Sequence, residues 1–403
     1  MISFTLSPQQ EQIKEVTHWF AANEIRLIAL EAERLGKVPD AWLHRVNEMG
    51  IQLHPSFTKT EKEDGIIHSG RKEREGNRLA VIAAEEIAWG DPAIALSLPG
   101  AGLGGPPIEA SGTPEQKKRF LSIFTPEVPR WGAYALTEPE AGSDASNLRT
   151  KAEKVAGGYI INGEKTFITN GKRASWVVVF ATVDPRLGRS GHRAFVVEKD
   201  TPGFTVTRLV EKMGLRANET AELLFEDCFV PEDNLLGGES FYTDNNRIGS
   251  FETAMATFDS TRPIVAAMAT GIARAAYEYT LEVIQQNYPK SIQHHYTYSL
   301  QGRLAEMEQA IDAARLLTWE AAWKADQGRP NAQEAAICKA FAGKMALEVC
   351  SRCLEIIGPT SVENNLVEKW YRDVKVFDIF EGTNEIQQLV IARRQYEPFG
   401  LRV

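Results

Sequence analysis

At 403 residues, 43% hydrophobic and 25% charged, the chain is long enough to bury a large core and to divide into two or three structural units. Its formal charge of −9, built from acids and bases interleaved along the whole length, offers no basic face to a polyphosphate backbone and argues against nucleic acid as a partner. No run approaches the ~20 apolar residues a membrane span needs, and the opening MISFTLSPQQ lacks the charged-then-apolar order of an export signal. A soluble, cytoplasmic protein is expected.

Residues 1–130 read as a helical domain. Ser7-Pro8-Gln9-Gln10 and Thr113-Pro114-Glu115-Gln116 each supply an N-cap hydroxyl, a proline at the first turn and a glutamine to close a capping box. Between them, Phe57 to Arg78 is charged and glycine-containing, shows no helical stripe, and reads as an exposed loop or insertion. Residues 131–241 change texture to short β-rich runs at Tyr159–Ile161, Trp176–Thr182, His192–Val197, Phe204–Val210 and Ala221–Phe229. Turn residues separate them, among them Asn162-Gly163, Asn170-Gly171 and Pro202-Gly203, which predicts an antiparallel β domain. Residues 242–403 return to a helical pattern, with Leu304, Met307, Ile311 and Ala314 on one face, and predict a helical bundle. The apolar run Ala335–Ile357 should stop at Gly358-Pro359. The fold class is therefore α+β, in the order helical, β, helical.

The cysteines, Cys228, Cys338, Cys350 and Cys353, are too few and too irregular for a disulfide framework. Cys350 and Cys353 lie inside the apolar helical run and read as small residues on a buried face, not as a metal or redox pair. His294-His295, on a polar segment, reads as solvated, so no metal site is expected.

Three stretches carry candidate chemistry. Tyr134-Ala-Leu-Thr-Glu-Pro-Glu-Ala-Gly-Ser-Asp144 is either a plain loop into the β domain or a set of backbone N–H groups and small hydroxyls facing a planar ring or a phosphate. Asn162-Gly-Glu-Lys-Thr-Phe-Ile-Thr-Asn-Gly171 is either a hairpin with two Asn-Gly turns or part of a site. In Phe380-Glu-Gly-Thr-Asn-Glu-Ile-Gln387, Glu381 follows an apolar segment and precedes a glycine. It either caps the next helix or is a base with a raised pKa.

In this order and layout, the three stretches resemble the acyl-CoA dehydrogenase family over almost the whole chain. Asp259-Ser-Thr-Arg-Pro263 and Lys212-Met-Gly-Leu-Arg216 add two further matches. The resemblance implies FAD held between the β domain and the carboxy-terminal helices, and oxidation of an acyl-CoA to its 2-enoyl-CoA. A carboxylate would take the α-proton while a hydride leaves to flavin N5. It implies Glu381 as that base; where some relatives place the base near the Asp259-x-x-Arg262 segment, this chain has Thr261, which cannot serve. Tyr134, Leu136, Thr137, Gly142 and Ser143 would line the flavin and the thioester end, with Ser143 also a substrate contact. Phe167, Ile168 and Thr169 would cover the ring, and Gly382, Thr383 and Glu385 would lie near the cofactor phosphates. Asp259, Arg262 and Arg393 would contact the substrate, and Pro99 to Leu103 would form the far end of the acyl pocket. The implied electron acceptor is an electron-transfer flavoprotein.

The chain also departs from the family pattern. Asn287, Lys290 and Tyr298 stand where the resemblance implies an FAD-gripping arginine, phenylalanine and glutamine, and Glu355 with Gly358-Pro359-Thr360 replaces a later glutamine and glycine pair. Two arrangements follow. One is an active homo-tetramer, or a hetero-oligomer in which a related subunit supplies the missing contacts. The other is a flavin-poor subunit that acts through interaction.

Overall fold

The computed structural model describes residues 2–50, 75–243, 250–287, 297–363 and 365–399. The first helix, α1 (Pro8–Phe20), starts where its capping box dictates. The Ser7 hydroxyl accepts the Gln10 N–H at 3.3 Å, while the Gln10 side chain accepts the Ser7 N–H at 3.0 Å. A π-turn at Ala21–Ile25 carries α1 into α2 (Arg26–Leu35), which ends at Gly36 in the left-handed conformation. After α3 (Asp40–Glu48), the chain is next described just before α4 (Gly76–Gly90). Of the expected 57–78 loop, residues 57–74 lie outside the described residues. The remainder corrects the expectation, because Gly76–Arg78 already belong to α4, anchored where Asp326 accepts the Asn77 and Arg78 N–H groups. Short helices α5 (Pro92–Ala95) and α6 (Gly105–Ser111) lead to α7 (Pro114–Leu121), whose capping box at Thr113 is also present.

The middle region is one curled sheet of β1 (Gly132–Ala135), β2 (Lys151–Val155), β3 (Gly158–Thr169), β4 (Trp176–Thr182), β5 (His192–Glu198), β6 (Phe204–Leu209) and β7 (Thr220–Pro231). Strand order is β1-β4-β2-β3-β7-β6, with β5 also pairing β4. Pairing is mainly antiparallel, as expected, but β4 runs parallel to β1 and, at one residue pair, to β2. Strand β4 is buried on both faces: Val177, Val179 and Ala181 join one core cluster, while Trp176, Val178 and Phe180 join the other. Each of the valines and Phe180 contributes about 1.5–3 kcal/mol on burial. Asn162-Gly163 is not a turn. It sits inside the long strand β3 as a bulge opposite Phe225, and a Cβ on Gly163 would meet Thr150 Cα at 2.6 Å. The close approach of two backbones, not a chain reversal, is what that glycine serves.

After α8 (Gly238–Thr243) come α9 (Ser250–Asn287), α10 (Thr297–Asp326) and α11 (Ala332–Ile357), which pack on one another, with α9 and α10 also against α4. Met307, Ile311 and Ala314 are buried on the α10 face that the spacing marked. Helix α11 stops at Gly358, and Cys338, Cys350 and Cys353 are buried free thiols whose pKa values burial pushes up. The chain closes with α12 (Leu366–Val374), a short 3-10 turn at Lys375–Asp378 and α13 (Asn384–Tyr396). A buried ion triad sits where the three regions meet. Lys369 on α12 pairs with Asp373 and with Asp91, the N-cap of α5, and Asp373 accepts the Leu215 N–H at 2.6 Å. Among the described residues, no helix is long and apolar enough to cross a membrane.

Candidate active site

A cleft of about 1110 Å³ opens between the segment leaving β1, the amino-terminal part of α9, and the turn and helix that follow Phe380. Leu136, Thr137, Gly142 and Ser143 line it from the β side; Asp259, Arg262, Glu381, Gly382 and Arg393 line it from the helical side. Nine of the residues singled out in the sequence are thus brought to one space. Tyr134 stands beside it, its ring 5.0 Å from Phe180 and 5.8 Å from the cleft residue Phe258. Its hydroxyl is buried with no hydrogen-bond partner. Burial, and then the charge of Glu381, push its pKa well up.

The β-side loop is held by a buried pair. Lys165 donates to Glu138 at 2.7 Å and to the Leu136 carbonyl at 2.9 Å, and Glu138 accepts the Arg149 and Thr150 N–H groups. Burial opposes ionisation of Glu138, but Lys165 and those donors more than offset it, and the carboxyl lies below its ordinary range. On the helical side, Asp259 and Arg262, one turn apart on α9, pair at 2.8 Å.

Glu381 occupies the left-handed region at φ 56°, which a non-glycine residue enters only at a cost of roughly 1–2 kcal/mol. Gly382 follows at φ 100°, and its Cα lies so close to the Gln387 amide that a Cβ there would collide with it. Glu381 Oε2 accepts the Thr261 hydroxyl at 2.7 Å. Burial pushes its pKa up, while the Thr261 hydrogen bond and the charges of Arg262 and Lys339 pull it part of the way back.

The other expected site residues do not line the cleft. Ile168 is buried in the sheet core, and Thr169 pairs with Thr220 at the end of β3. Phe167 is 62% exposed at φ 58°, one residue past the Thr166 N–H that bonds the Thr137 carbonyl at 2.9 Å. Thr383 caps α13, accepting the Ile386 N–H at 3.4 Å, and Glu385 is exposed on the first turn. Pro99–Leu103 also lies away from the cleft; Gly100 bonds the strand-leading segment through Arg130 and Gly132. The Glu355 carboxylate is paired with Arg303 at 2.6 Å on the surface. Lys290, His294, His295 and the side chains of Asn287 and Tyr298 lie outside the described residues.

Sequence reasoning missed the groups around Glu381. Thr261 was weighed only as a base that it cannot be, whereas its hydroxyl donates to the Glu381 carboxylate. Lys339 and Gln387 carried a weaker signal: a lysine inside an apolar helical run, and the last residue of a quoted stretch. The residues present fit a planar ring with hydrogen-bonding edges. Small donors line one wall, and an aromatic side chain is held exposed beside them on strained backbone.

Profiles for the N-terminal, middle and C-terminal domains of acyl-CoA dehydrogenase match residues 7–125, 133–228 and 251–396. The chain is 36% identical over 397 residues to the probable acyl-CoA dehydrogenase YngJ of Bacillus subtilis, covering 98% of this chain and 99% of that one. It is also 36% identical to the acryloyl-CoA reductase (NADH) of Anaerotignum propionicum, over 97% and 95% of the two chains. Butyryl-CoA dehydrogenase from Megasphaera elsdenii superposes with a TM-score of 0.86 at 34% identity, over 98% of this chain and all of that one. The chain belongs to the acyl-CoA dehydrogenase family and is an oxidoreductase.

Proposed function

We propose that the protein catalyses α,β-dehydrogenation of an acyl-CoA thioester, with Glu381 as the base that removes the α-proton. The observation that carries this is the desolvated carboxylate of Glu381, held by Thr261 and presented into a cleft lined by Leu136, Phe258 and Ile386. A carboxylate at its reference pKa of about 4.3 is a weak base toward a thioester α-carbon, and removing water raises its basicity toward the working pH. Thr261 fixes the carboxylate by one oxygen and leaves the other to accept the proton. Arg393 and Arg394, both exposed, bring positive charge to the cleft and would meet the phosphates of a CoA moiety. The Arg262–Asp259 pair stiffens the wall beside the base.

Bound FAD would supply the acceptor for the hydride that leaves the β-carbon. Leu136, Thr137, Gly142 and Ser143 would hold its ring edge and the thioester, and the segment of Phe167 and Thr169, with the Ile168 side chain turned into the sheet core, would cover its face. Tyr134 would back the ring, and Gly382, Thr383 and Glu385 would stand near its phosphates. We assign an electron-transfer flavoprotein as the oxidant that resets the enzyme, on the family resemblance. Run backward, with a hydride delivered to the β-carbon and a proton returned to the α-carbon from protonated Glu381, the same chemistry would reduce an enoyl thioester, and the likeness to a protein named acryloyl-CoA reductase makes that direction a second assay to run.

The test is Glu381→Gln. The amide keeps the shape and cannot accept a proton, so turnover should fall on the order of 10²–10⁴ or more. Exchange of the α-proton with solvent deuterium should fall with it, while acyl-CoA binding is kept. Wild-type turnover and exchange in this variant would refute the assignment.

A further inference from the structure

Three lysines are fully buried among the described residues, and two have carboxylates in direct contact. Lys165 meets Glu138, and Lys369 meets Asp91 and Asp373. The third, Lys339 on α11, is 1% exposed and instead donates its hydrogen bond to a backbone carbonyl, Gly382 O, at 2.6 Å. Enclosing an ammonium costs several kcal/mol, and one neutral carbonyl is poor compensation. Burial accordingly lowers its pKa to about 8, and the first charge that opposes this is Glu381.

The carbonyl it grips belongs to the turn that carries the base. Glu381 and Gly382 are both left-handed, and both carbonyls find donors outside a helical ladder. Glu381 O accepts from Gln387 at 3.0 Å and from Arg262 at 3.4 Å; Gly382 O accepts from Gln387 at 3.0 Å and from Lys339. The groups facing the base are Thr261 and Arg262 from α9, paired there with Asp259, and Tyr134 from β1. Cys338 lies beside Lys339 on α11, and Asp378 and Glu385 flank the turn and face Lys339. Arg262 is the other cation whose charge opposes the effect of burial on the Glu381 carboxylate, and its charge is shared with Asp259.

We propose that Lys339 is a positioning residue for this reaction: its ammonium clamps the left-handed turn through Gly382 O and supplies positive charge that favours the carboxylate form of Glu381. The inference rests on Glu381 being the base. A nearby cation lowers a carboxylate's pKa, so removing it raises that pKa, and the acid limb of the rate moves to higher pH.

The experiment follows kcat and kcat/KM of the full-length, flavin-loaded enzyme from about pH 5 to 9, with any thioester the wild type oxidises. Lys339→Gln keeps a donor for Gly382 O and loses the charge. Its acid limb should move up by about one pH unit with KM within about twofold. Lys339→Met should shift the limb likewise and lower the plateau as well. Lys339→Arg should keep the wild-type limb. A Gln variant with the wild-type limb overturns the proposal, as does an Arg variant displaced as far as Gln. If Met does not fold, Gln and Arg decide. Failure of both to fold would also count against it, marking the site as purely structural. Glu381→Gln separates the two claims. If that variant is dead while the Lys339 limbs are silent, only the Lys339 proposal falls; if it is fully active, the base assignment falls first.

Discussion

Thr261→Val removes one hydroxyl and nothing else of consequence. The side chain is 3% exposed, so valine fills the same space, and the lost contact is the 2.7 Å bond to Glu381 Oε2. A hydrogen bond to a charged group contributes roughly 1.5–3 kcal/mol, and one pH unit corresponds to about 1.4 kcal/mol. If the bond serves the ionised carboxylate, its loss raises the pKa of Glu381 by about one to two units, on top of the rise that burial already causes. The sign follows: below the new pKa the base is protonated and idle, so the acid limb of kcat moves up. Above it the carboxylate is more basic, and the plateau should hold or rise slightly. The assay is kcat against pH, paired with solvent-deuterium exchange at the α-carbon to isolate proton removal from later steps. A rate loss equal at every pH would show that the hydroxyl only places the carboxylate. A limb that moved down would refute the reasoning outright.

Two further outcomes concern stability. Lys369→Met leaves Asp91 and Asp373 buried without their cation and should cost about 3–5 kcal/mol in denaturant unfolding; a loss near zero would show that water reaches the triad. Glu138, whose folded pKa lies below the ordinary 4.5, contributes stability that is present above that value and is lost as pH falls through the folded pKa. Wild type and Glu138→Gln should therefore differ at neutral pH and converge in acid, and a constant gap would exclude the linkage.

The helical, β, helical order was legible because each region has its own period, and the helix starts at Ser7 and Thr113 were legible because a capping box is a local device. Asn162-Gly163 misled for a physical reason. Asn-Gly favours a tight turn when strand and turn compete locally, but here Thr150 packs against the glycine and β7 pairs along both sides of it. That competition is tertiary and leaves no local mark. The site divides the same way. Glu381, Asp259 and Arg262 lie in recognisable stretches, whereas Lys339 reaches the Gly382 carbonyl from a helix that begins almost fifty residues before Glu381. The parallel β1–β4 pairing was equally invisible, since it joins segments separated by two other strands.

The triad at Asp91, Lys369 and Asp373 bears on how accurately the cleft can be built. An oily seam between helices and sheet would tolerate small slides at little cost. A buried cation with its carboxylates, one of which also takes the Leu215 N–H, does not, because a slide of an ångström leaves a charge unmatched. Glu381 lies eight positions after Asp373, across a single 3-10 turn, and the opposing wall is the loop that leaves β1. The ion triad thus acts as a dowel between the part that carries Glu381 and the part that carries the facing wall. None of its three residues lines the cleft, yet the parts that bound the cleft are joined through it.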